Sequence, residues 1–171
     1  MKKLIIINGT MGVGKTAVSE KVGDKLAPSV FLDGDWCWKM NPWVFSEENK
    51  KMVIDNITYL LNNYLANSAF HYIIFCWVLH RESIFEQILS RLKGEFELHK
   101  ISLICSKEAL QSHFVKDVQK GIRTLDEVES SFSRMELYQE LNTQKIDVSH
   151  LSAAEAADRI IDHVSPSGTV D

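Results

Sequence analysis

Residues Gly9 to Thr16 read GTMGVGKT, between an apolar, β-branched run (KLIIIN, 3–8) and a segment with helical spacing (14–27). No other stretch restricts the fold of this chain as much. Gly9, Gly14, Lys15 and Thr16 fill the pattern GxxxxGK[ST], with Gly12 as an extra glycine inside it. Glycines let the backbone curl until several N–H groups face one phosphate chain, and the following helix adds the positive end of its dipole. The whole loop (Gly9, Thr10, Met11, Gly12, Val13, Gly14, Lys15, Thr16) is therefore a candidate phosphate cradle for a nucleotide. Lys15 would reach the outer phosphates and Thr16 would ligate Mg2+.

Beyond the loop, strand-like and helix-like segments alternate. Short apolar runs at 29–35, 71–78, 97–106 and 144–149 follow the first one, and helical spacing fills the gaps. Ser46 with Glu47 and Glu48, Ser106, the capping box TLDE (124–127) and the capping box SAAE (152–155) mark helix starts. RESIFEQILSRLKG (81–94) reads as a helix stopped by Gly94, and the helix from Ser106 stops at Gly121. Five buried strands separated by helices predict an α/β fold with a parallel sheet covered on both faces. Right-handed crossovers put every strand's C-terminal end on one edge, where such sheets bind ligands. The glycine loop, the DGD at 33–35 and the end of the third strand all fall there.

The chain of 171 residues fits a single domain over 1–164, with 165–171 as a frayed tail. A net charge of −4 argues against nucleic acid or an anionic membrane as partner. Cys37, Cys76 and Cys105 are widely spaced and form no CxxC, which predicts reduced thiols in a cytoplasmic protein. Cys76 and Cys105 lie in apolar runs and are expected in the core. The apolar start ends at Asn8-Gly9, too short for a signal sequence, and no run reaches the ~20 apolar residues of a membrane span.

LDGDW (32–36) places Asp33 and Asp35 at the end of the second strand. Read as strand residues, the two carboxylates point to opposite faces, one toward a metal and the other toward an acceptor. An ordinary turn is the competing reading. A guanine-reading NKxD is absent, and YIIFCW (72–77) carries no Walker B acidic pair, so the magnesium-side carboxylate must come from elsewhere. Asp33 is the candidate.

GTMGVGKT followed by FLDGDW resembles the P-loop kinases of small molecules, nearest to the gluconate, shikimate and adenylylsulfate kinases and the chloramphenicol phosphotransferases. DVQKGIRT…SRMELYQELNTQKIDVS resembles a bacterial branch of nucleotide-kinase-like, AAA-family ATP-binding proteins. The resemblance implies a three-layer P-loop fold, a five-stranded parallel sheet of order 2-3-1-4-5, and a helical lid at about 106–135. It also implies ATP and Mg2+ as cofactors, Thr16 and Asp33 at the metal, Asp35 at the acceptor, and Arg123 and Arg134 as lid arginines. Two departures stand out. His113 occupies a position where relatives often carry arginine, and CWVLHR (76–81) replaces the small, polar segment of gluconate kinases, against a sugar acid as acceptor.

On the helix from Ser106, His113, Lys116 and Lys120 share one face, with Arg123 just past its end; the face is either a lid over phosphates or simply solvated. Arg134 is either a lid cation or an ion-pair partner. Trp36, Trp38, Trp43, Phe45 and Trp77 crowd the acceptor side. Trp77 is expected in the core, while Trp36 and Trp38 suit pocket and core equally. His80 and Arg81 face the ligand edge, where Arg81 could hold an anion. Together these features predict a monomeric or homodimeric kinase that moves the γ-phosphate of ATP to a small-molecule acceptor, with a hydroxyl favoured. A nucleoside monophosphate kinase would want arginines around its acceptor, and residues 17–80 contain none. A nucleotide-binding module without phosphotransfer is the third reading.

Overall fold

A computed structural model describes residues 1–121 and 125–165. Leu4, Ile5, Ile6 and Ile7 are fully buried, as the uninterrupted apolar run requires of a strand covered on both faces. They belong to β1 (Lys2–Gly9), the middle strand. The others are β2 (Ser29–Asp33), β3 (Tyr72–Trp77), β4 (Phe96–Ile104) and β5 (Gln144–Asp147). All pairings are parallel, in the order β2-β3-β1-β4-β5. The expected sheet and its order are both observed.

Among the described residues, six helices cover it: α1 (Lys15–Lys25), α2 (Glu47–Ala66), α3 (Glu82–Leu89), α4 (Lys107–Gln119), α5 (Leu125–Glu140) and α6 (Ala153–Val164). Alternation along β1 divides the core. Leu4 and Ile6 pack with Val53, Ile57 and Leu61 of α2, Phe85 and Ile88 of α3 and Tyr138 of α5. Ile5 and Ile7 pack with Val18 and Val22 of α1 and Ala156, Ala157 and Ile160 of α6. Each such aliphatic side chain contributes about 1.5–3 kcal/mol on burial, so the two faces lock the register of the strand that carries the glycine loop.

Helix starts follow the caps read from the sequence. Ser46, Ser106 and Ser152 each accept from the backbone N–H three residues on, and Ser152 with Glu155 forms a complete capping box. The capping box at 124–127 turns on Thr124, which lies outside the described residues. The stop at Gly121 is observed, with φ at +69°.

Three expectations need correction. The helix expected over 81–94 ends at Leu89, because Asn62 of α2 takes hold of the chain beyond it. Its side chain donates to Arg91 O at 3.0 Å and accepts from Lys93 N–H at 2.8 Å, while Arg91 and Leu92 make the tighter i→i+3 bonds. β2 ends at Asp33, and a short 3-10 helix spans Gly34–Trp38, so strand alternation does not govern Asp35. Cys76 is fully buried as expected, but Cys105 is only half-buried.

Candidate functional site

The loop that leaves β1 depends on glycines whose φ is positive. Gly12 stands at +84° and Gly14 at +102°. Gly14 caps α1 without any side-chain hydrogen bond, and the first turn of α1 holds no acidic residue, so its leading N–H groups face the loop. A side chain at Gly12 would meet the Phe114 ring at 3.0 Å, which shows how closely α4 lies on the loop. The Lys15 ammonium donates to Thr10 O at 3.0 Å, which keeps it folded over the same turn.

Thr16 donates its hydroxyl to Asp33 Oδ2 at 2.6 Å. The other oxygen, Asp33 Oδ1, accepts from Asp35 N–H at 2.9 Å and so caps the 3-10 helix. Asp33 is buried, with both carboxylate oxygens engaged, whereas Asp35 and Thr16 are exposed. Gly34 between the two aspartates admits no side chain, since a Cβ there would lie 2.5 Å from Trp77 Cγ. Cys76 pairs in register with both Ile7 and Asp33, and its thiol is pushed up to about 12 by burial and by the Asp33 charge. A neutral thiol, not a carboxylate, is thus the β3 residue in register with Asp33. The acid that reaches the loop therefore comes from β2, one strand further out.

α4 and α5 grip the loop from above. His113 Nδ1 lies 3.1 Å from Gly12 O, and because a carbonyl only accepts, that nitrogen carries the proton. Ser131 of α5 donates to Met11 O at 2.6 Å, and Thr10 Oγ1 lies 2.8 Å from Ser131 Oγ. His113, Lys116 and Lys120 line one cavity of about 390 Å³ with Gly12–Gly14, walled by Val18, Val148 and Leu151. That face of α4 is thus turned to the loop. Arg123 lies outside the described residues. Arg134 is exposed on α5, close enough to His80 to act on its charge.

Asn8 is fully buried just before the loop, and its amide donates to Leu79 O at 2.7 Å, tying the segment after β3 to β1. That segment carries His80 and Arg81. His80 Nδ1 lies 3.2 Å from Val78 O, and the imidazole is held below its ordinary range by burial and by the Arg134 and Arg81 charges. Trp77 is in the core, 9% exposed. Trp36 is 49% exposed, edge-on to Phe31, and Trp38 is half-buried beside Trp43 and Phe45. Ser131 and Asn8 were not singled out from the sequence. Ser131 does carry a signal: it interrupts the apolar stripe Val128–Met135 of its helix with a hydroxyl.

The oxygen set at Thr16 and Asp33 is of the hard kind magnesium takes, which binds through one or two carboxylates plus substrate phosphates and water. Among the described residues, no three His, Cys, Asp or Glu side chains gather as a metal cage. No described helix is long and apolar enough to cross a membrane.

Solved structures share this architecture. The tunicamycin resistance protein of Deinococcus radiodurans is 21% identical, with 96% of each chain covered and a TM-score of 0.69. A sugar kinase from Janibacter sp. HTCC2649 is 11% identical over 100% of both chains, with a TM-score of 0.68. Shikimate kinase from Acinetobacter baumannii, solved with shikimate, is 19% identical over 96% of this chain and 93% of its own, with a TM-score of 0.63. At such identities the likeness carries the fold. No curated protein matches the sequence. The family model of the AAA domain matches residues 5–138, most of the sheet with the glycine loop inside it, and the chain belongs to that family.

Proposed function

We propose that this protein is a phosphotransferase that moves the γ-phosphate of ATP, with Mg2+, to a hydroxyl on a small molecule. The observation that carries the reading is the contact of Thr16 with Asp33 at the mouth of the glycine loop, with Asp35 fixed two residues on through its own N–H. The loop N–H groups and Lys15 bind the phosphates, and Thr16 and Asp33 hold the metal site. When bound, magnesium neutralises phosphate charge. Asp35 accepts the acceptor's proton. Arg134 and Arg123 bring positive charge to the transferring oxygens, where it lowers the barrier. The sugar kinase and shikimate kinase among the solved structures of like fold favour transfer over a binding module, and the absence of arginine from residues 17–80 disfavours a phosphate as acceptor.

Calorimetric titration with ATP tests the base of this reading. Wild-type protein should bind ATP in a magnesium-dependent manner. Lys15→Ala should weaken binding by about 1.5–3 kcal/mol, the worth of a charge-assisted contact, while its thermal midpoint stays in place. Wild-type protein that binds no ATP would end the proposal.

A further inference from the structure

Past Gly34 the chain keeps large rings in water. Trp43 is 61% exposed, Phe45 62% and Val44 46%. The rings are already ordered: Trp43 and Phe45 stack with centroids 5.7 Å apart at 14°, and Phe45 stacks on Trp38 at 5.6 Å and 29°. Trp38, the inner ring, packs against the core beneath α2. The result is a tier anchored at one end and open at the other. Exposed apolar surface of this density marks a binding site more often than an accident of folding.

Charge narrows what the tier can take. Residues 29–68 hold five carboxylates, three lysines and no arginine. Lys50 is bound to Glu47 at 2.6 Å and lies over the Phe45 ring at 4.3 Å, and Lys51 is bound to Asp55 at 2.5 Å. An anionic ligand on this surface would meet Asp35 and find two of its three lysines already committed. The tier is also continuous with the loop, because the 3-10 helix that carries Trp38 is capped by Asp33, the residue that Thr16 touches.

We propose that the Trp38–Trp43–Phe45 tier seats the flat, apolar part of the acceptor, a hydroxyl compound without net negative charge; this rests on the phosphotransferase reading above. Aromatic stacking supplies the affinity, and Asp35, on the same 3-10 helix as Trp38, takes the hydroxyl. A second copy of the chain is a poorer occupant. The exposed parts of Trp43 and Phe45, at about 150–250 Å² for a whole aromatic side chain, fall well short of the ~800 Å² that one side of a stable dimer buries.

The test uses tryptophan fluorescence of the full chain, with naphthyl and phenyl alcohols as neutral probes and gluconate and shikimate as anionic ones. The aromatic alcohols should bind at least about tenfold more tightly than either acid. Phe45→Ala, which retains every tryptophan, should weaken that binding about tenfold, the worth of one aromatic pair, and Trp43→Ala should do the same. Both residues are exposed, so an unchanged thermal midpoint and an unchanged affinity for Mg·ATP serve as controls. Binding of the acids as tight as that of the alcohols would overturn the proposal, as would variants that bind the alcohols like wild type. Self-association of the wild type that either variant abolishes would overturn it in favour of a dimer face. Alcohol binding that depends on Phe45 but leads to no phosphate transfer would support the tier and remove only the phosphotransferase reading.

Discussion

Thr16 and Asp33 meet at 2.6 Å, hydroxyl to carboxylate, and that bond joins the last residue of the glycine loop to the last residue of β2. β2 is not a neighbour of β1; the bond crosses the C-terminal end of β3, where the pairing residue is Cys76. A carboxylate thus reaches the loop although β3 has none to offer.

The two aspartates should separate in their phenotypes. Asp33→Asn keeps the shape of the cap but removes the charge, so it should weaken Mg·ATP and move the magnesium dependence to higher concentration. Asp35→Asn should leave ATP affinity in place and lower turnover by about 10²–10⁴-fold, the usual worth of a general base. Steady-state kinetics across a magnesium series reads both. Identical phenotypes would mean that the Asp35 carboxylate acts with Asp33 at the metal and not on the acceptor, since the cap uses only the backbone N–H of Asp35.

On the proposed function, Arg134 and Arg123 should act on the transition state. Arg134→Ala and Arg123→Ala should each lower kcat far more than they weaken ATP binding, because charge on the transferring oxygens is greatest at transfer. Comparing kcat with ATP affinity for each variant decides the matter. Equal losses would make the residue a binding group, and no loss in either would leave it a surface charge.

Acidification should loosen the fold through two histidines. His80 and His99 are held below their ordinary range, each first by burial; the Arg134 and Arg81 charges add at His80, and the Lys3 charge at His99. An unfolded histidine takes up its proton near pH ~6.5, whereas these two resist it in the folded state. The unfolded chain then binds more protons below that pH, so stability falls as the pH drops from about 7 to 5. Thermal midpoints over that window should decline, and His99→Asn should flatten the decline. A midpoint that rises on acidification would contradict the assignment.

The sheet and its order were legible because each strand is a short apolar run and the glycine loop identifies the first. The serine caps at 46, 106 and 152 were equally plain, since capping is a local interaction. Contacts made across long sequence distances were not legible. Nothing near Gly94 announces that Asn62 will end α3 early, and nothing in DGD says that Asp33 will fold back to cap its successor. At the site, the loop and Asp33 could be read from a motif and from an elimination. Ser131 on Met11 and Asn8 on Leu79 could not, because each joins segments separated by 71 residues or more.

The central claim is transfer, and the fate of the γ-phosphate tests it most directly. ATP labelled with ³²P in the γ position, incubated with magnesium, the protein and a panel of nucleosides, sugars, antibiotics and aromatic alcohols, should place its label on an organic acceptor. The label should stay on ATP when Asp35→Asn replaces the wild type. Label released only as inorganic phosphate, at a rate no acceptor changes, would contradict the account and leave a nucleotide-hydrolysing module in its place.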